Sequence, residues 1–141
     1  MAIRTARTAW TGTLLEGSGQ VELSSSKLGT FDVSWPKRIS DEAGGTTSPE
    51  ELIAAAHSSC FSMELSSTIA KAGATPISLE VTADVSFVGG AISGIALSVT
   101  GEAEGLDADG FSAAAEKAKE NCPVSKALAV PITLKEARLE S

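Results

Sequence analysis

The chain has 141 residues, a length that suits one domain over residues 1–141, and with 43% hydrophobic and 21% charged residues it can build a core and is not a disordered chain. Its net charge of −7, with eleven Lys and Arg scattered along the sequence, excludes the concentrated basic footprint that nucleic-acid phosphates or an anionic membrane surface require. No uncharged apolar run reaches the ~18 residues of a membrane span, and residues 1–10 lack the apolar region of a signal peptide, so a cytoplasmic protein acting on small molecules or protein partners is expected.

The first third reads as strands. Val21 and Leu23 alternate with polar residues, as do Phe31, Val33 and Trp35, the period of a half-buried antiparallel sheet. Trp10 and Leu14 suggest an earlier strand, with Gly17-Ser18-Gly19 as its turn. Residues 40–47 are too polar and Gly-rich for regular structure.

A helix then begins with clear signals. Ser48 is the N-cap, Pro49 suits the first helical position, and Glu51 completes a capping box. Residues 52–63 carry no formal charge with His57 neutral, so the helix is expected to be buried on most sides. The small residues Ala54, Ala55, Ala56, Ser58 and Ser59 permit close approach of another backbone. Lys71 ends the helix and Gly73 stops it.

Two strands follow, carrying Val81, Ala83, Val85 and Phe87 and then Ile95, Leu97 and Val99, with Gly89-Gly90 between them. Asp107 caps a second helix bearing Phe111, Ala114, Ala115 and Ala118. That helix falters at Asn121, and Pro123 permits a fresh helical start with Cys122 near its cap. Ile132 and Leu134 suggest a closing strand. The sum is an α+β fold in the order βββ-α-ββ-α-β.

Chemistry centres on two cysteines and one histidine, too few for an ordinary four-ligand zinc site. Free cysteines are most often small buried hydrophobes. Cys60 lies about ten positions into the first helix, ~15 Å from its positive end, beyond reach of the dipole. A thiolate there needs a cation, and Arg38 or Lys37 is nearest before the helix. Arg38 is favoured because its planar fork can hold a carboxylate and a sulfur or peroxide oxygen together. Cys122, at a helix start, faces unpaired backbone N–H groups that favour a thiolate. Two thiols activated in different ways suit a cycle in which one becomes a sulfenic acid and the other condenses with it. His57 shares a helical face with Cys60, so a thiol hydrolase with a Cys60/His57 pair stands as an alternative. So does a non-catalytic dimeric protein that binds a small ligand and has inert thiols. Glu50, in the first turn, suits the helix dipole whatever else it does.

The segment Thr47-Ser48-Pro49-Glu50-Glu51-Leu52-Ile53-Ala54-Ala55-Ala56-His57-Ser58-Ser59-Cys60-Phe61-Ser62-Met63, followed by Cys122-Pro123-Val124-Ser125-Lys126-Ala127-Leu128, resembles the OsmC/Ohr family. The osmotically inducible (OsmC) branch is the more similar one, through His57 and the Phe61-Ser62-Met63 run. The resemblance spans essentially the whole chain, including the element order. It implies an OsmC-like fold with antiparallel sheets and a long buried central helix in an intertwined homodimer. It also implies a thiol-dependent, peroxiredoxin-like hydroperoxide reductase of the oxidative or osmotic stress response, acting on organic hydroperoxides and less selectively on hydrogen peroxide. Cys60 matches the cysteine that attacks peroxide, Cys122 the one that resolves it by a disulfide, and Glu50 the glutamate of the site. The arginine of the other branch has no counterpart in Glu16-Gly17-Ser18-Gly19-Gln20, whereas Arg38 fits the OsmC pattern, with Lys37 as the substitute. A dithiol reductant on a lipoylated protein is implied; a metal or prosthetic group is not.

Overall fold

Short alternating segments and tight turns form the N-terminal part of the computed structural model, which describes residues 1–140. Strands β1 (Arg7–Thr11), β2 (Ser18–Glu22) and β3 (Thr30–Val33) make an antiparallel sheet in the order β1-β2-β3. Trp10 pairs with Gly19 and Val21 with Phe31. Leu14 and Leu23 lie just outside the strands, and Ser18 and Gly19 belong to β2, so the first turn falls earlier than the glycine spacing suggests.

Trp35 is not in a strand. It opens a one-turn helix, α1 (Trp35–Arg38), whose N-cap Ser34 accepts the Lys37 N–H and whose second residue is Pro36. The cap and the proline override the alternation that runs through Phe31 and Val33. This turn is what delivers Lys37 and Arg38. Beyond the 40–47 loop, the Thr47 N–H returns to the Asp32 carbonyl of β3 at 3.0 Å, fixing the entry to the long helix.

That helix, α2 (Pro49–Lys71), starts where its cap signals place it. Ser48 Oγ accepts the Glu51 N–H at 3.1 Å, and the Thr47 hydroxyl donates to the Glu51 carboxylate. At its other end Gly73 takes φ +87, while its N–H reaches Ala70 and that of Ala74 reaches Ile69, the two bonds of a Schellman stop. The burial expectation holds for one face only. His57, Phe61, Leu65 and Ile69 are buried, whereas Ala55, Ala56, Ser59 and Met63 are open in the single chain, Met63 being 71% exposed.

The chain forms two compact units, Met1–Leu52 and the remainder from Ile53. In the second, β4 (Thr75–Val88) and β5 (Ala91–Glu104) make a long antiparallel hairpin. Its turn is Gly89-Gly90, both at positive φ, as a two-residue connection of matching twist requires. Helix α3 (Ala108–Asn121), capped by Asp107, and α4 (Pro123–Ala127) lead to β6 (Ile132–Glu140), giving the order β4-β5-β6. β6 runs parallel to β5, which corrects the expectation of wholly antiparallel sheets. The cause is the helical connection: α3 packs on β6 and carries the chain back along the sheet, so the next strand enters in the same direction as β5. The core joins Phe61, Leu65 and Ile69 of α2, Ile95, Leu97 and Val99 of β5, Phe111, Ala115 and Ala118 of α3, and Cys122, with Cys60 packed against it.

Candidate active site

The sequence candidates fall into two pairs, one in each unit. In the first, Arg38 Nε bonds both oxygens of Glu50, at 2.8 and 3.2 Å. Arg38 is at the end of α1 and Glu50 in the first turn of α2, so the cap at Ser34 and the cap at Ser48 together bring them into register. The Arg38 guanidinium also lies over the Trp35 ring, 5.9 Å from its centroid. Glu50 is 7% exposed, and a carboxylate so buried requires such a partner. Lys37 turns elsewhere: its Nζ sits beneath Gly44, 2.8 Å from where a Cβ would stand, and it lines a different cavity with Asp32 and Gln20. Arg38, not Lys37, therefore holds the glutamate. Beside it is an apolar cavity of about 280 Å³ walled by Trp10, Leu14, Val21, Trp35 and Leu52.

The second pair is the thiols. Cys60, on α2, packs against the core cluster that contains Cys122, the N-cap of α4, near enough for each thiol to feel the other, and both are unoxidised. Cys122 is fully buried and Cys60 half-buried, so Cys60 is the more accessible sulfur. Burial pushes the Cys60 thiol up from its ordinary value. The Val124 backbone N–H opposes that by donating to the sulfur, while the Cys122 thiol and Glu64 add to the rise. The unpaired N–H groups at the start of α4 were expected to serve Cys122, whose side chain makes no cap bond. One of them serves Cys60 instead. The sequence held no sign of this, because Val124 and Cys60 meet only through the fold.

His57 is fully buried and shares the Cys60 face of α2, yet neither ring nitrogen engages the thiol. Nε2 lies 2.7 Å from Ser125 Oγ, and Nδ1 has no partner. Burial lowers its pKa, so the ring is neutral near pH 7. A nucleophile–base pair needs direct reach, so the geometry is not that of a thiol hydrolase. Ser125 was missed in the sequence, where a serine in a short helix carries no distinguishing mark. Among the described residues, no cluster of three or more His, Cys, Asp or Glu side chains is placed to hold a metal ion. Nor is any helix long and apolar enough to cross a membrane.

Comparison with known proteins follows the same lines. Residues 42–136 match the family model for OsmC-like proteins. The chain is 43% identical over 129 residues, 89% of either chain, to a protein named peroxiredoxin OsmC in Escherichia coli K12 and to its namesake in Shigella flexneri. An OsmC-like protein of Vibrio cholerae aligns over 96% of this chain and 99% of its own, with TM-score 0.71 and 17% identity. An organic hydroperoxide resistance protein of Legionella pneumophila aligns over the full length of both chains, with TM-score 0.67 and 23% identity. The fold is therefore the one these structures share. Since the family model spans most of the sequence and the curated relatives match it at such identity, the chain belongs to the OsmC-like protein family.

Proposed function

We propose that the protein is a thiol peroxidase that reduces organic hydroperoxides to alcohols. The observation that carries this reading is the packing of Cys60 against the cluster that contains Cys122, two free thiols far apart in sequence, with the half-exposed one foremost. In the reaction, the Cys60 thiolate attacks the outer oxygen of the hydroperoxide. The O–O bond breaks, the sulfur is oxidised to a sulfenic acid, and the alkoxide leaves with a proton as alcohol. The Cys122 sulfur then attacks Cys60, water departs, and a Cys60–Cys122 disulfide remains. An external dithiol reduces it by exchange. The relatives named peroxiredoxin and the hydroperoxide resistance proteins of similar fold support the assignment.

Arg38 and Glu50 complete the site in this reading: the guanidinium stabilises the thiolate and the developing alkoxide, and Glu50 holds it in position. The apolar cavity beside Arg38 favours a hydroperoxide with an apolar R group over hydrogen peroxide. The reductant is a dithiol of the lipoylated-protein class, and the working form is a homodimer. Two free thiols suit a reducing cytoplasm and a role in oxidative or osmotic stress.

Thiol counting tests the reading. One equivalent of cumene hydroperoxide should remove both free thiols of the chain, whereas Cys122→Ser should stop with added oxygen on Cys60, seen by mass. Cys60→Ser should take up no peroxide. Loss of no thiol from the unaltered protein would instead assign a non-catalytic ligand-binding role.

A further inference from the structure

Helix α4 has only five residues, and the Lys126 N–H to Cys122 carbonyl bond of 3.0 Å is its first turn. So short a helix does not hold itself, and its position depends on what it is tied to. Two ties to α2 are present, and they are adjacent on both elements. Val124 packs against the same core cluster as Cys60, and its N–H favours the Cys60 thiolate. Its neighbour Ser125 meets His57 at 2.7 Å, one helical turn before Cys60. Cys122 caps the same short helix.

His57 is costly to place here. It is fully buried, and its Nδ1 has no partner, although buried polar groups are normally satisfied. A histidine kept for packing alone would be better replaced by an apolar side chain of its size. With the ring neutral, a proton on Nε2 makes His57 the donor and Ser125 Oγ the acceptor, leaving only a lone pair unmet at Nδ1.

We propose that His57 is a positioning residue: by holding Ser125 it clasps α4 to α2, keeping the Val124 N–H on the Cys60 sulfur and Cys122 within reach of it. Neither ring nitrogen exchanges a proton with the thiol in this role; His57 acts through the backbone of α4. The inference rests on Cys60 as the attacking sulfur.

The test uses Ser125→Ala, His57→Leu and His57→Gln, the last keeping a side-chain N–H able to reach Ser125. Two readouts are followed: the pH midpoint of Cys60 alkylation, measured on its own peptide by mass, and the rate at which the second thiol disappears after cumene hydroperoxide. Ser125→Ala and His57→Leu should raise the midpoint and slow disulfide closure by about two- to tenfold, as loss of one hydrogen bond implies. His57→Gln should recover most of both. Wild-type midpoint and closure in Ser125→Ala would overturn the proposal, as would a His57→Gln no better than His57→Leu. Should His57→Leu fail to fold, Ser125→Ala decides alone. If the unaltered protein takes up no peroxide, the peroxidase reading falls, while the alkylation midpoints still decide whether the clasp exists.

Discussion

Cys60 stands between opposed influences. Burial, the Cys122 thiol and Glu64 favour its protonated form, and the Val124 N–H favours the thiolate. A sulfur whose pKa is raised gains thiolate only as pH climbs past the ordinary value of about 8.5, which is late for attack at neutral pH. Bringing the midpoint down is the task assigned to Arg38. Arg38→Ala should therefore leave Cys60 with an alkylation midpoint above that of an ordinary thiol, and the unaltered protein should titrate lower. Peroxide reduction at pH 7 should drop by about tenfold or more, the scale of a hydrogen bond to a charged group. Arg38→Lys should recover part of the rate, since a lysine supplies the charge without the fork that grips Glu50. Rapid alkylation across pH and steady-state peroxide kinetics check this together; identical midpoints in Arg38→Ala and the unaltered protein would remove Arg38 from the role.

At the scale of elements, the caps were the legible part. Ser48-Pro49, Asp107 and Cys122-Pro123 each mark a helix start, and all three starts fall there: Ser48 and Asp107 accept a bond from a neighbour in sequence, and at Cys122 the following proline sets the first helical position without a side-chain cap bond. Trp35 misled for a local reason too: a period of two continued across a Ser34-Trp35-Pro36 cap that outweighs it. The direction of β6 was not legible at all, since alternation shows a strand but not the sense in which it pairs. The same divide holds in the site. The thiol partnership and the Arg38–Glu50 pair could be named from the family resemblance, whereas Val124 on Cys60 and Ser125 on His57 depend on where α4 docks. The stop of α2 offers a test of the local rule. Gly73 has φ +87, and a Cβ there would meet nothing within 4 Å, so Gly73→Ala is unfavourable through backbone conformation alone. It should lower unfolding stability by about 1–2 kcal/mol, read as a shifted urea midpoint at unchanged slope. An unshifted midpoint would show that the Schellman stop contributes nothing.

At the scale of the molecule, α2 is expected to join chemistry and assembly. Glu50 is in its first turn and Cys60 about ten residues on, some 15 Å along a straight helix. On that spacing one arginine is expected to struggle to meet both the glutamate and the thiol of one chain. A two-fold partner removes the difficulty, because isologous packing can set two copies of α2 side by side and antiparallel. The face for such packing exists: Ala55, Ala56 and Ser59 are small and open, Met63 is 71% exposed, and residues 52–63 carry no formal charge with His57 neutral. Covering it would desolvate no ion and bury Met63. In that arrangement Glu50 and Arg38 of one protomer would approach Cys60 of its partner, and we predict two composite sites in each homodimer. Co-expression of Cys60→Ser with Glu50→Ala, purified as a heterodimer through two tags, separates the alternatives. In a composite dimer one pocket combines the intact Cys60 of one protomer with the intact Glu50 of its partner, and about half the wild-type activity returns. In a dimer whose sites lie within single protomers, one pocket has no attacking sulfur and the other no glutamate. Activity no greater than half that of the Glu50→Ala homodimer would therefore exclude the shared site, and a chain that sediments as a monomer at working concentration would exclude the dimer itself.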